Sequence, residues 1–337
     1  MTDVAQTGGA TAAPTDKLVG KRRAGDGFFL GLSTTAAASI MVILAGVAIF
    51  LILKGLPAIT ANWETNHDLA GYQNKNWGSF WNYVAPLLWG SLWSSLIALI
   101  LGAPVAIGIA LFISHYAPRK LAGPLAYVVD LLAAVPSIVF GLWGVIVMRP
   151  FLTPLAQFLN EYLGWIPLFR GPVSSTGSTM LAGGVVLAVM ILPIITALTR
   201  EIFLQTPRLN EEAALALGAT RWEMIRLAVF PYARSGMISA ILLGLGRALG
   251  ETMAIALIIS PSILFSFAVL TDGYNSQTIA GNIANNFPIA TDMQRSALIG
   301  TGLMLFVVSL AVNMLARGII GRSTNRTRKA PKIGKRA

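Results

Sequence analysis

The sequence predicts an all-α membrane protein with six transmembrane helices, and three observations lead there. First, 55% of the 337 residues are hydrophobic and only 12% are charged, which is too apolar for an ordinary water-soluble domain; the mean hydropathy is +0.68. Second, six apolar runs recur along the chain, each near the roughly 20 residues a helix needs to cross a ~30 Å hydrocarbon core. Third, the basic residues gather at the two ends and in the joints between those runs, as flanks of membrane spans do.

Taken in order, residues 1–27 are rich in Gly, Ala and Thr and end in Lys21, Arg22 and Arg23. They offer too little apolar surface to fold alone and are expected to form a disordered cytoplasmic tail. The apolar run over 28–53 exceeds the roughly 7–15 residues of a signal-peptide core, so it is read as a retained, peripheral transmembrane helix. Residues 54–83 form an external loop whose Trp63, Tyr72, Trp77 and Trp81 suit the aromatic belt at a headgroup interface. Five further spans are expected over 84–113, 121–147, 179–199, 236–262 and 296–317. Pro86, Pro104, Pro136 and Pro193 fall within them, which membrane helices tolerate when neighbours satisfy the freed backbone groups. Residues 151–165 are amphipathic but too short to span, and are read as an interfacial helix. That helix and the 55–83 loop could equally form a docking surface for an external partner. Residues 321–337 make a basic cytoplasmic tail.

Six spans place both termini on one side. Nineteen of the 25 Lys and Arg residues then share the side of the termini and five lie opposite, with Arg247 inside a span. This imbalance predicts N-in, C-in topology in a bacterial inner membrane. The net charge of +11 does not point to nucleic acid, because no basic stripe lies on a folded face. Cysteine is absent, which excludes disulfides and thiolate metal sites. His67 and His115 are the only histidines and have no ligand spacing, so no metal site is expected.

The loop over 200–235 is long enough to need a structure or function of its own. Thr206 and Pro207 are read as N-cap and first helical residue, opening a helix through Leu217. Gly218 stands where a left-handed residue would stop it. Thr220 and Glu223 form a capping box that restarts a helix, and Pro231 is expected to end it.

This loop spells E-A-A-x3-G-x9-A-x-F-P, from Glu212, Ala213, Ala214 and Gly218 to Ala228, Phe230 and Pro231. It resembles the EAA loop of ABC importer permeases, usually E-A-A-x3-G-x9-I-x-L-P, with Ala228 and Phe230 as apolar departures. The resemblance implies a type I ABC importer permease (MetI-like) core over 84–320. It also implies an ATPase-coupling site of Glu211, Glu212, Ala213, Ala214, Gly218, Ala219 and Pro231. Small alanines would let a partner approach, and the two glutamates would pair with its basic groups. No G-x-x-x-x-G-K-[ST] phosphate loop occurs; Gly20-Lys21 and Gly334-Lys335 each continue into Arg. The chain is therefore expected to be a non-catalytic subunit with no cofactor of its own, ATP and Mg being held by partner ATPases.

Within the fifth span Arg247 and Glu251 stand four apart, on one helix face. Counted from Gly236, Arg247 lies roughly 16 Å deep, and Asp130, counted from Leu121, roughly 13 Å. A charge at mid-membrane costs about 2.5–3.5 kcal/mol, so a buried cluster of Asp130, Arg247 and Glu251 is expected, either lining an anion path or only pinning helices. Gly246 and Gly250 form G-x-x-x-G for a close helix contact. The stretches Ala133–Trp143 and Gly244–Ala254 narrow the resemblance to the PstC family of phosphate importer permeases. That resemblance implies a homologous permease of the PstA type, a PstB ATPase dimer, the external phosphate-binding protein PstS, and membrane lipid as partners, with no nucleic acid. Physics alone leaves open another oxyanion, such as sulfate or molybdate, and an ATPase-independent secondary transporter.

Overall fold

The computed structural model describes residues 24–75 and 77–328. Most of the expected N-terminal tail, with its Lys21–Arg23 cluster, and residues 329–337 lie outside them. The chain divides into two units, Met1–Phe50 and Leu51–Ala337. In the first, the leading part of α1 (Ala24–Thr60) carries exposed apolar side chains such as Phe29, Ile40 and Met41.

The second unit holds every other element, and all are helical among the described residues. They are α2 (Phe80–Leu111), α3 (Arg119–Ala133), α4 (Ser137–Trp143), α5 (Arg149–Leu163), α6 (Met180–Leu204) and α7 (Arg208–Ala216). There follow α8 (Arg221–Met224), α9 (Phe230–Leu249), α10 (Met253–Ile258), α11 (Ile279–Asn286) and α12 (Asp292–Arg328). Six helical stretches are long and apolar enough to cross a membrane: Gly27–Thr60, Phe80–Tyr116, Ser137–Leu163, Met180–Leu204, Arg221–Leu249 and Asp292–Leu315.

The core is built on α6. Its Val186, Leu187, Ile191 and Ile195 are wholly buried. Small residues bring α2 against it: a Cβ on Gly102 would stand 3.0 Å from the carbonyl oxygen of Ala188, and one on Gly184 would overlap Ile97. Thr196 donates its hydroxyl to the carbonyl of Ala106 at 3.2 Å, so the seam between α2 and α6 also satisfies its buried polar group. On another face α9 runs antiparallel to α6, with Gly236 against Ile202 and Gly244 against Ile195.

Several expectations are corrected. The third span does not run over 121–147. The residue before a proline avoids helical geometry, and the chain breaks at Val135–Pro136, after which α4, a π turn over Gly144–Met148 and α5 form one stretch. Residues 151–165 are therefore mostly the end of a span, with Leu152 and Ala156 buried, rather than a separate interfacial helix. The fifth span starts earlier and ends at Leu249. Pro231 does not stop it, because a π turn over Ile225–Val229 lets the N–H of Phe230 reach the carbonyl of Ile225, and Pro231 then sits in the first turn of α9.

The aromatic residues of the 54–83 loop also differ from expectation. Trp63 is 1% exposed, and Tyr72 and Trp77 are buried with Phe80 and Tyr83 in a small core; only Trp81 is exposed. Trp63 donates to the carbonyl of Ala58 at 2.8 Å and Trp77 to that of Tyr72 at 3.0 Å, so neither indole needs interfacial water. Beside them Asn282 donates to the Tyr83 hydroxyl at 2.5 Å and accepts from Gln277 at 2.8 Å. This buried network ties the loop to α2 and α11.

Candidate functional site

Two breaks in helices meet at one place. Residues 133–137, between α3 and α4, and Gly246, Arg247, Gly250 and Glu251, at the end of α9, line a cavity of about 470 Å³. The first break exists because Pro136 precedes α4, whose opening turn has no side-chain cap. The second lies at Gly250, whose φ of −90° and ψ of 0° leave the helical range after Leu249.

The second break separates Arg247 from Glu251. The two share a cavity wall but no helix face, and no ion pair joins them. Glu251 instead accepts the backbone N–H of Ala254 at 3.1 Å, capping α10 with a buried carboxylate. Asp130 lies elsewhere, with a side chain 53% exposed and 4.0 Å from Arg200 Nη2, near the end of α6. Counting its depth from Leu121 fails because α3, 15 residues long, is not one of the membrane-spanning stretches; the third of these is Ser137–Leu163. The expected three-residue cluster is not formed.

Arg247 lies two residues from the Leu249 end of the stretch Arg221–Leu249, so the depth of roughly 16 Å counted from Gly236 does not carry over. Arg247 lines a second cavity, of about 680 Å³, together with Ile194; Ile194 is ten residues from the end of α6, or about 15 Å along it. Its Nε is buried without a hydrogen-bond partner among the described residues. Gly246 and Gly250 make no close helix contact, since a Cβ on Gly246 would meet nothing within 4 Å. Their role here is to leave open space beside the guanidinium.

Sequence reasoning missed Arg149. It lies in the third span and donates from Nη2 to the carbonyls of Leu257 and Ile258, each at 2.6 Å. These are the last carbonyls of α10, so Arg149 and Glu251 hold the two ends of a six-residue helix with charges that oppose its dipole. The signal in the sequence was a lone Arg inside an apolar stretch, Val145 to Phe151.

The loop between the fourth and fifth spans folds as two helices around Gly218, whose φ is +84°. Thr220 and Glu223 form the expected capping box. Thr206 does not cap α7; its hydroxyl is buried and Pro207 holds the cap position. The residues expected to couple to an ATPase divide between two faces. Glu211 lies 3.7 Å from His115 Nε2 of the same chain, and Ala214 packs on the cluster around Phe203. Ala219 is half-buried, its N–H donating to the Ala214 carbonyl at 3.2 Å. Glu212, Ala213, Gly218 and Pro231 are exposed, as are Leu209 and Leu217, the latter 90%.

Comparison with known proteins accords with this arrangement. The family model described as "binding-protein-dependent transport system inner membrane component" matches residues 102–329. The phosphate transport system permease protein PstC 2 of Mycobacterium tuberculosis is 43% identical over 311 residues, covering 90% of this chain and 94% of that protein. PstC of Xylella fastidiosa is 38% identical over 299 residues, covering 87% and 89%. Among solved structures, a chain of the MetNI methionine ABC transporter aligns with a TM-score of 0.51 at 15% identity, over 72% of this chain and 96% of its own; this likeness concerns the fold. The protein is a multi-pass membrane subunit that belongs to the binding-protein-dependent ABC importer permeases, with the helical core of their type I (MetI-like) members.

Proposed function

We propose that this chain is the PstC-type permease of an ATP-driven inorganic phosphate importer and that Arg247 lines its anion path. The carrying observation is the Arg247 guanidinium, facing two cavities and paired with no carboxylate among the described residues. An unpaired charge within a membrane span costs up to about 2.5–3.5 kcal/mol, a cost offset when water or an oxyanion fills the space beside it. The fork of Arg matches two oxygens of a phosphate. The PstC names of relatives across most of the chain supply phosphate as the substrate.

The remaining parts fit an alternating-access cycle. A PstA-type permease would close the path beside the open Gly246–Gly250 face. A PstB-type ATPase dimer would hold ATP and Mg and seat the exposed side of α7, where Glu212, Ala213 and Leu217 are accessible. A PstS-type protein would deliver phosphate to the opposite side. With both termini and the 200–235 loop cytoplasmic in an inner membrane, ATP-driven closure pushes α7, and α8–α9 carry the motion to Arg247.

The test is radiolabelled uptake by the reconstituted complex with phosphate and sulfate in competition. Phosphate should be taken up and sulfate should compete poorly; sulfate or molybdate winning would reassign the substrate. Arg247→Lys should lower phosphate uptake at least about tenfold, because the ammonium lacks the fork. Uptake at the wild-type rate in that variant would remove Arg247 from the path.

A further inference from the structure

The larger cavity holds a second cation that the proposed path does not yet use. Besides Arg247 and Gly246, its wall includes Ser239 of α9 and Asn313 and Arg317 of α12. Asn313 and Arg317 are four apart and share one face of α12, while Ser239 and Gly246 are two turns apart on one face of α9. These two faces form a groove of about 680 Å³.

Its chemistry is one-sided. Every polar side chain on the wall can donate a hydrogen bond, two of them are guanidinium groups, and no carboxylate is present. The adjoining 470 Å³ cavity, by contrast, contains Glu251. Arg317 stands in no ion pair among the described residues.

The groove also has a direction. Ser239 is eight residues nearer than Arg247 to the Phe230 end of α9, or about 12 Å along the helix. Arg317 lies two residues beyond the apolar stretch Asp292–Leu315. The space therefore runs along α9 from Arg247 toward the end that carries the coupling loop.

We propose that Arg317, Asn313 and Ser239 form a second anion station, which takes a phosphate-type oxyanion from Arg247 as it leaves the membrane. The proposal rests on the reading of the chain as an oxyanion permease and adds the exit to it. A dianion held by one guanidinium in a low-dielectric space would leave slowly. A second cation at the far end of the same groove offers a competing site, and conduction is faster when weak sites follow one another. Arg317 supplies charge and a fork for two oxygens, and Asn313 and Ser239 donate to the others.

The plainer alternative is that Arg317 only snorkels to lipid phosphates at the membrane edge. Both sources present a phosphate group, so the test must separate them. The sequence contains no cysteine, so Ser239→Cys places a single thiol of this chain in the groove, and Asn313→Cys provides a second position should the first disturb assembly. In the assembled complex in phosphatidylcholine nanodiscs, the thiol is labelled with anionic and cationic methanethiosulfonates, each rate being divided by that with a free thiol.

The anionic reagent should react about tenfold faster, as expected where one sign of charge lines a cleft. Millimolar inorganic phosphate should slow the labelling, and adding Arg317→Gln should erase most of both effects. Equal rates for the two reagents, or no protection by phosphate with Arg317 intact, would overturn the station. So would a preference abolished by phosphatidylglycerol but untouched by inorganic phosphate, since the cations would then serve lipid. Uptake is read after the same complexes are reconstituted into phosphatidylcholine vesicles: absent phosphate transport with protection retained would count against the transport reading and leave the station standing.

Discussion

Arg149 Nη2 lies 2.6 Å from the carbonyl oxygen of Ile258, although the two residues stand 109 positions apart. The same nitrogen reaches Leu257 at 2.6 Å. The third span is thereby fastened to the far end of α10, whose near end is capped by Glu251 beside Arg247. A hydrogen bond from a charged donor contributes about 1.5–3 kcal/mol. Arg149→Met should therefore lower the stability of the solubilised complex by about 2 kcal/mol and reduce uptake, with Arg149→Lys recovering part of both. Thermal unfolding in detergent alongside uptake checks this; a Met variant of unchanged midpoint and rate would show the clamp to be idle.

Glu251 combines a cap and a charge, and two substitutions separate them. Glu251→Gln keeps an oxygen able to accept from Ala254, so α10 should remain ordered while the field beside Arg247 changes. Glu251→Ala removes the cap as well, at about 1 kcal/mol. Uptake altered in both variants, with stability lowered only in the second, is the expected pattern. Equal loss of stability in both would mean that the carboxylate charge itself holds the break together.

Gly218 sits at φ +84° between α7 and α8, and a Cβ placed there would meet nothing within 4 Å, so conformation alone opposes a side chain. Gly218→Val should cost about 1–2 kcal/mol locally and lower ATP hydrolysis stimulated by substrate, whereas Gly218→Asn should be milder. Stimulated ATPase assays on the assembled complex decide it, and full stimulation in the Val variant would argue that the turn can relax.

Gly90 is constrained by space. A Cβ there would lie 2.6 Å from the carbonyl oxygen of Ser276 and closer still to that of Gln277. Ser276 also donates its hydroxyl to the carbonyl of Pro86, and Ser91 Oγ accepts the N–H of Ile279 at 2.9 Å. Gly90→Ala should push the segment off α2 at a cost of about 1–3 kcal/mol. Faster limited proteolysis between Ile259 and Thr278 reports this; an unchanged digestion pattern would contradict it.

Much of this was legible from residues alone, for reasons that particular positions make clear. Six spans followed from run length, and the turn at Gly218 and the Thr220–Glu223 box followed from local chemistry. The failures share one cause: one-dimensional hydropathy does not register where a helix breaks. Arg247 and Glu251 obeyed the i, i+4 rule on paper, yet Gly250 ends the helix between them. Pro231 looked like a stop, but a π turn upstream removes the bond it would have broken. Trp63 and Trp77 looked interfacial because their carbonyl partners, Ala58 and Tyr72, are set by a loop fold that composition does not encode. Asp130 meets Arg200 because its helix, α3, stops at Ala133 before the third span begins at Ser137, a break that an apolar run from Leu121 to Val147 conceals.

The π turn that carries the chain past Pro231 makes residues 221–249 one uninterrupted strut, about 43 Å long at 1.5 Å per residue. A continuous helix of that length carries displacement from one end to the other. Tilting it by a few degrees at the Gly218 end sweeps the Arg247 end through a few ångströms, enough to open or shut a passage the width of an ion. The two ends of this helix lie beside Gly218 and Gly250, and substitutions that stiffen either of these should shorten the stroke.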